Sequence, residues 1–140
     1  GTLTFSVTLT DTAGNAGSAV TATATLDATA PAGYSITADD SLIGASEAAA
    51  TSFTFADAEI GATYSYTITS DAGGAEVTGG GTIASATEQV SGIDVSSLPD
   101  GTLTFSVTLT DTAGNAGSPA TASATLAAVD AALTETDGWL

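Results

Sequence analysis

The sequence has no cysteine, lysine, arginine, histidine or methionine. Without cysteine there is neither a disulfide staple nor thiol chemistry, so stability must come from packing or from a bound metal. Without lysine or arginine nothing offsets sixteen Asp and Glu residues, and the net charge is −16. Such a surface repels a nucleic-acid backbone and an anionic membrane, and its natural partners are cations. The joint absence of His, Cys and Lys also removes the usual nucleophile-and-base pairs and the cation that would steady an oxyanion. A glycosidase can run on two carboxylates, but here the acids fall in turns and the aromatics alternate into strands. The chain is therefore expected not to be an enzyme. No apolar run approaches the roughly 20 residues that span a bilayer, so no direct membrane insertion is expected.

What the sequence does have is repetition. Residues 1–18, GTLTFSVTLTDTAGNAGS, recur letter for letter as residues 101–118. A fixed period of this length marks a tandem array in which one structural unit is copied. Within each copy Leu, Phe, Val and Leu alternate with Thr and Ser, the period of a strand with one buried face. Asp111, Asn115 and the glycines at 114 and 117 then turn the chain, and an Ala/Thr strand returns it. The period divides the chain into residues 1–25, the closing hairpin of a preceding unit; 26–126, a complete unit; and 127–140, a tail or the start of a following segment.

Within the complete unit, the polar link Leu26-Asp27-Ala28-Thr29-Ala30-Pro31 ends in a proline that holds it extended. Strands are predicted over 33–38, 51–56, 62–70, 75–78, 81–84 and 88–95, before the repeated hairpin. Residues 39–50 read as a loop with one helical turn over 48–50. About seven short strands at turn spacings of eight to twelve residues predict an all-β fold, a Greek-key immunoglobulin-like β-sandwich with a repeat of about 100 residues. The core tryptophan and inter-sheet disulfide of antibody domains are missing, and Trp139 lies outside the unit.

Several of these segments carry a resemblance. LDATAP, FTFADAEIGATYSYTI, GIDVSSLPDGTLTFSVTLTDTAGNAG and the Thr/Ala last strand resemble the bacterial Ig-like repeats of giant surface adhesins, the biofilm and repeats-in-toxin types. The likeness covers nearly all of residues 26–126, and its most specific part is the TLTDTAGN hairpin with a D-x-T-x-P link. It implies an extracellular, cell-surface extender module, calcium-stiffened and copied many times, whose partners are the neighbouring repeats of the same chain.

The residues themselves point toward a cation at the link. In an immunoglobulin-like topology the chain entry, the loop after the second strand and the last hairpin share one end. Those pieces carry Asp27, Asp57 with Glu59, and Asp111 with Asn115, and the preceding hairpin carries Asp11 and Asn15 in the same places. Calcium takes six to eight oxygens in flexible geometry. Two like charges 4 Å apart cost roughly 1 kcal/mol in water and several times more near a protein surface, which a divalent ion relieves. The plainer reading is that Asp, Asn and Gly are ordinary turn formers that bond their own backbone. A second acidic group, Asp39, Asp40, Glu47 and Asp100, is expected at the opposite end, as a contributor to a calcium between units.

Two other readings stay open. The outward Thr and Ser of three strands, including Thr102, Thr104, Thr108, Thr121 and Thr125, form an even hydroxyl face suited to ice, a glycan or another copy, although threonine on a wet sheet face is commonplace. Alternatively the chain is a self-assembling filament or surface-layer subunit, associating laterally or end to end through residues 1–25.

Overall fold

The computed structural model describes residues 1–128; the expectations for the tail and for Trp139 fall on residues outside that range, apart from its first two. Ten strands follow one another: β1 (Thr2–Val7), β2 (Val20–Thr25), β3 (Ser35–Ala38), β4 (Leu42–Gly44), β5 (Thr51–Ala56), β6 (Thr63–Ser70), β7 (Gly73–Thr82), β8 (Gln89–Ile93), β9 (Gly101–Thr110) and β10 (Ala120–Ala127). There is no helix among the described residues. The fold is all-β, as the alternation predicts.

β1 and β2 form a two-stranded sheet of their own, antiparallel from Thr2↔Thr25 to Val7↔Val20. The remaining strands make a sandwich of a five-stranded sheet, β4-β10-β9-β6-β7, and a three-stranded sheet, β3-β5-β8. This is an immunoglobulin-like arrangement with an extra strand, β7, beside the central ones. The chain enters through β3 in the smaller sheet, then crosses at once to β4, which runs parallel to β10 through Leu42↔Thr125 to Ala127↔Gly44.

The alternation in sequence becomes the core. Leu103, Phe105, Val107 and Leu109 on β9 are at most 1% exposed, and they face Phe53 and Phe55 on β5. Phe53 meets Phe55, Tyr66 and Phe105 edge-on, with ring centroids 5.5–6.0 Å apart. Each such buried side chain stabilises the fold by roughly 1.5–3 kcal/mol over leaving it in water.

Two expectations need correction. Residues 39–50 are not simply a loop: Ile43, wholly buried, pulls Leu42–Gly44 into the large sheet, and the helical turn begins earlier, with Ala48 N–H donating to the Gly44 carbonyl at 3.0 Å. And the glycines at 79–81 do not split the chain into two short strands; β7 runs unbroken. The reason is steric. Tyr66 and Tyr64 on β6 stand opposite Gly79 and Gly81. A Cβ at Gly79 would collide with the Tyr66 hydroxyl, and one at Gly81 would lie 2.7 Å from that of Tyr64. The rings cover the bare glycine backbone and supply the packing that glycine lacks.

Candidate functional site

The end of the sandwich where the link meets the last hairpin carries the most specific chemistry. The turn between β9 and β10 is built by Asp111. Its Oδ1 accepts the backbone N–H of Ala113 at 3.0 Å and of Asn115 at 2.8 Å, and its Oδ2 accepts Asn115 Nδ2 at 3.0 Å. The backbone closes as well, Asp111 N to Asn115 O at 3.0 Å and Gly114 N to Asp111 O at 3.1 Å. Gly114, with φ at 94°, takes the left-handed conformation that glycine adopts without strain. The Asn115 side-chain amide, followed by these backbone donors, holds the Asp111 carboxyl below its ordinary value. The identical turn between β1 and β2 makes the same bonds, Asp11 to Ala13, Asn15 and the Asn15 amide, with the same lowering by Asn15.

Only at the second turn does the link lie on the hairpin. Asn115 Nδ2 also donates to the Asp27 carbonyl at 2.8 Å, so one amide group stands between the link and Asp111. Asp27 uses its own carboxylate locally, accepting Thr29 N–H at 3.1 Å. Further along, the Tyr34 hydroxyl donates to the Ser118 carbonyl and accepts Leu109 N–H at 3.2 Å. Gly117 makes this approach possible: a Cβ there would run into the Pro31 carbonyl and lie 3.0 Å from the Tyr34 hydroxyl. At Gly17 the same Cβ would meet only the Leu9 carbonyl at 3.5 Å, an ordinary contact.

Of the expected ligand set, the structure brings Asp111, Asn115 and the Asp27 backbone into direct contact. Asp57 and Glu59 lie in the loop between β5 and β6, exposed, with Asp57 in a left-handed conformation at φ 55°. The pairing of Thr63 with Thr110 places that loop at the same end of the sandwich. The expected convergence of four carboxylates does not form, however, because among the described residues no three acidic side chains come together as a metal-holding group. The physical reason lies in the turn itself: backbone and amide N–H groups already satisfy Asp111, the task assigned to a cation.

The second acidic group is also dispersed. Asp39 accepts Ser52 and Thr54 hydroxyls, each at 2.6 Å, and the Gln89 amide at 2.9 Å, stitching β5 and β8 to the end of β3. Burial pushes its carboxyl upward, but these three donors outweigh that and leave it lowered. Asp40 and Glu47 remain neighbours, and the charge of Asp40 raises the Glu47 carboxyl. Asp100 Oδ1 accepts Ala128 N–H at 3.0 Å.

The hydroxyl face is laid out in register. Thr125 faces Thr102; Ser123, Thr104 and Thr69 form a row; Thr121, Ser106, Thr67 and Thr78 form the next; and Thr108 stands opposite Ser65. Thr102, Thr104, Thr121 and Thr125 are exposed, whereas Thr108 is half-buried.

Sequence reasoning missed Tyr34 and Gly117 as members of this site. The glycine at 117 has its counterpart at 17 in the other copy of the turn, which is a signal of sorts, but nothing in the sequence marks Tyr34, within the strand expected over 33–38, as reaching the hairpin.

No family model matches the chain, and no curated protein does. Among solved structures it is similar to a tetra-tandem repeat from the extending region of a large adhesion protein, at a TM-score of 0.57 and 32% identity over 91% of this chain. It also aligns with a structure from a 1.5-MDa bacterial ice-binding adhesin, described in connection with retention at the host cell surface, at 30% identity over 92% of this chain and a TM-score of 0.48. The chain spans 32% of the first structure's length and 42% of the second's. In fold and sequence it is thus like the tandem repeat from the extending region of a large adhesion protein.

Proposed function

We propose that this chain is a non-catalytic extender segment of a large bacterial surface adhesin, a rigid spacer displayed outside the cell. The observation that carries the reading is the likeness to a repeat from the extending region of such a protein, 32% identical over 91% of the chain. The exact internal repeat supports it, as does the link seated on its own hairpin through Asn115, Gly117 and Tyr34. The Asn115 bond to the Asp27 carbonyl and the close approach of the Pro31 carbonyl to Gly117 hold the link against its own unit, which restricts the angle at which successive units meet, and the partners of each unit are then its neighbours along the chain. Units made from residues 26–126 and joined end to end are expected to scatter X-rays as a rod whose length rises linearly with their number. A maximum dimension that levels off with added units would overturn the spacer reading.

Calcium at the link belongs to the same proposal. Its support is chemical: sixteen acids, no basic side chain, and an oxygen-rich corner at Asp27, Asp111 and Asn115. As arranged, the corner is closed by the Asn115 amide donating to both neighbours, so an ion there requires that amide to turn and offer its oxygen. Bound calcium would neutralise the carboxylates and tie the link to the turn more firmly. Calorimetric titration of the chelator-treated chain is expected to show saturable calcium uptake that Asp111→Ala abolishes; uptake unchanged in that variant would place the ion elsewhere.

A further inference from the structure

The last strand of the complete unit does not stop at the residue that seals its core. Leu126 is 1% exposed, Ala127 still pairs with Gly44, and the Ala128 N–H donates to Asp100 Oδ1 at 3.0 Å. Asp100 stands immediately ahead of β9, so the unit itself holds the first backbone donor beyond its own last strand. Residues 1–26 and 101–126 are identical at 23 of 26 positions, differing at Ala19/Pro119, Val20/Ala120 and Thr23/Ser123, and Ala28 answers Ala128. At this earlier copy the same step of the chain is held from the other side. Asn115 Nδ2, in the unit that follows, donates to the Asp27 carbonyl at 2.8 Å. The Asp27 carbonyl and the Ala28 N–H are the two polar ends of one peptide group. Among the described residues no peptide bond is cis, so these ends point in opposite directions from a single plane.

We propose that the Asp27–Ala28 peptide is the joint between successive units, gripped on both sides. Its carbonyl is held by Asn115 of the unit it opens, and its N–H by the counterpart of Asp100 in the unit it closes. This rests on the reading of the chain as a tandem array, in which the residue before Gly1 answers Asp100. No free linker then separates the units: Leu26 seals one core, as Leu126 does, and the next peptide but one is bonded to both units. The little rotation left is restricted again upstream, where Asp27 takes the place of Ala127 beside the counterpart of Gly44. Both bonds use backbone atoms of the link, so Ala127 serves in this role as well as Asp27. No cation takes part, and the joint stays closed in chelator.

The test rebuilds the upstream unit. Residues 27–100 are placed ahead of Gly1 in the full chain, so that Asp100 of the added copy precedes Gly1 as Asp100 precedes Gly101. Amide hydrogen exchange is then followed by nuclear magnetic resonance in chelator, with Phe105 reporting the downstream core and Phe5 the rebuilt one. Ala28 is expected to exchange at least about tenfold more slowly than in the chain without the addition, because a hydrogen bond to a carboxylate must first open. Asp100→Ala in the added copy is expected to return Ala28 to within about twofold of the original rate while Ala128, Phe5 and Phe105 keep their protection. Asp100→Asn there, whose amide oxygen still accepts, is expected to keep Ala28 slow. The joint is overturned if Phe5 reaches the protection of Phe105, so that the upstream unit has folded, while Ala28 exchanges as before. It is equally overturned if Asp100→Ala leaves the slowing in place. If Phe5 never reaches that protection, the tandem reading falls and the joint falls with it.

Discussion

Residues 1–18 and 101–118 are one sequence in two environments. Their turns are the same to within the hydrogen bonds: Asp11 and Asp111 each accept the third and fifth residues of the turn at 3.0 and 2.8 Å and the Asn amide at 3.0 Å. Their strands are not the same. β1 is six residues long and stops at Val7, whereas β9 runs ten residues to Thr110. Leu9 is 80% exposed and Leu109 is 0% exposed. The comparison separates what a stretch of chain specifies alone from what its surroundings add. Asp, Asn and Gly define a turn with bonds that all lie inside it, while the reach of a strand depends on a sheet being there to pair with and a core to enter.

The sharpest way to break this comparison is at the ring. Phe105→Ala should cost about 3–5 kcal/mol, since it empties a site lined by Phe53 and other buried side chains, whereas Phe5→Ala should change stability by less than about 0.5 kcal/mol. Urea unfolding of the two variants measures both, and equal losses would mean that the first hairpin is packed in solution. Next comes the glycine that lets the link settle. Gly117→Ala forces apart the Pro31 carbonyl and the hairpin and should cost about 1–3 kcal/mol, whereas Gly17→Ala meets ordinary contact distances and should be close to neutral on the same assay.

Acid sharpens the comparison further. Asp111 is held below its ordinary value of 3.8, so the stability it contributes is present above that value and drains away as pH falls through the lower folded-state value. Asp11 is shifted the same way, yet its turn closes only the bare hairpin. Thermal melts between about pH 5 and pH 2 should therefore show a decline that Asp111→Ala makes shallower and Asp11→Ala leaves alone; Asp39, and Asp94 held down by the Ser96 hydroxyl and backbone N–H, add to the slope in both. The smallest effect is a gain. The Thr51 hydroxyl, on a residue only 1% exposed, has no hydrogen-bond partner. Thr51→Val keeps the shape and removes the unmet group, and should raise the unfolding free energy by about 1 kcal/mol.

The parts of the fold that were legible in the sequence are those where one residue type repeats at period two. Phe53 with Phe55, Tyr64 with Tyr66 and Ile68, and Leu103 through Leu109 all mark their strands correctly. β4 was hidden because its evidence is a single buried residue, Ile43, whose value depends on β10 lying beside it. β7 was hidden because three successive glycines look like a break until the tyrosines opposite are known. At the candidate site, the turn at Asp111 and Asn115 was legible since its contacts span four residues or fewer. The Tyr34 hydroxyl reaching Ser118, 84 residues away, was not. Topology says which loops share an end of the sandwich, but nothing about where each carboxylate finds its hydrogen bonds, and Asp111 finds them inward.

One pairing made early in the chain bears on how such a unit behaves when stretched. β4, near the unit's beginning, lies parallel to β10 at its end, joined at three successive residue pairs. Tension drawing the two ends of the unit apart acts along those strands and in opposite directions on them. The ladder is thus loaded in shear, with its bonds strained together instead of peeled one after another.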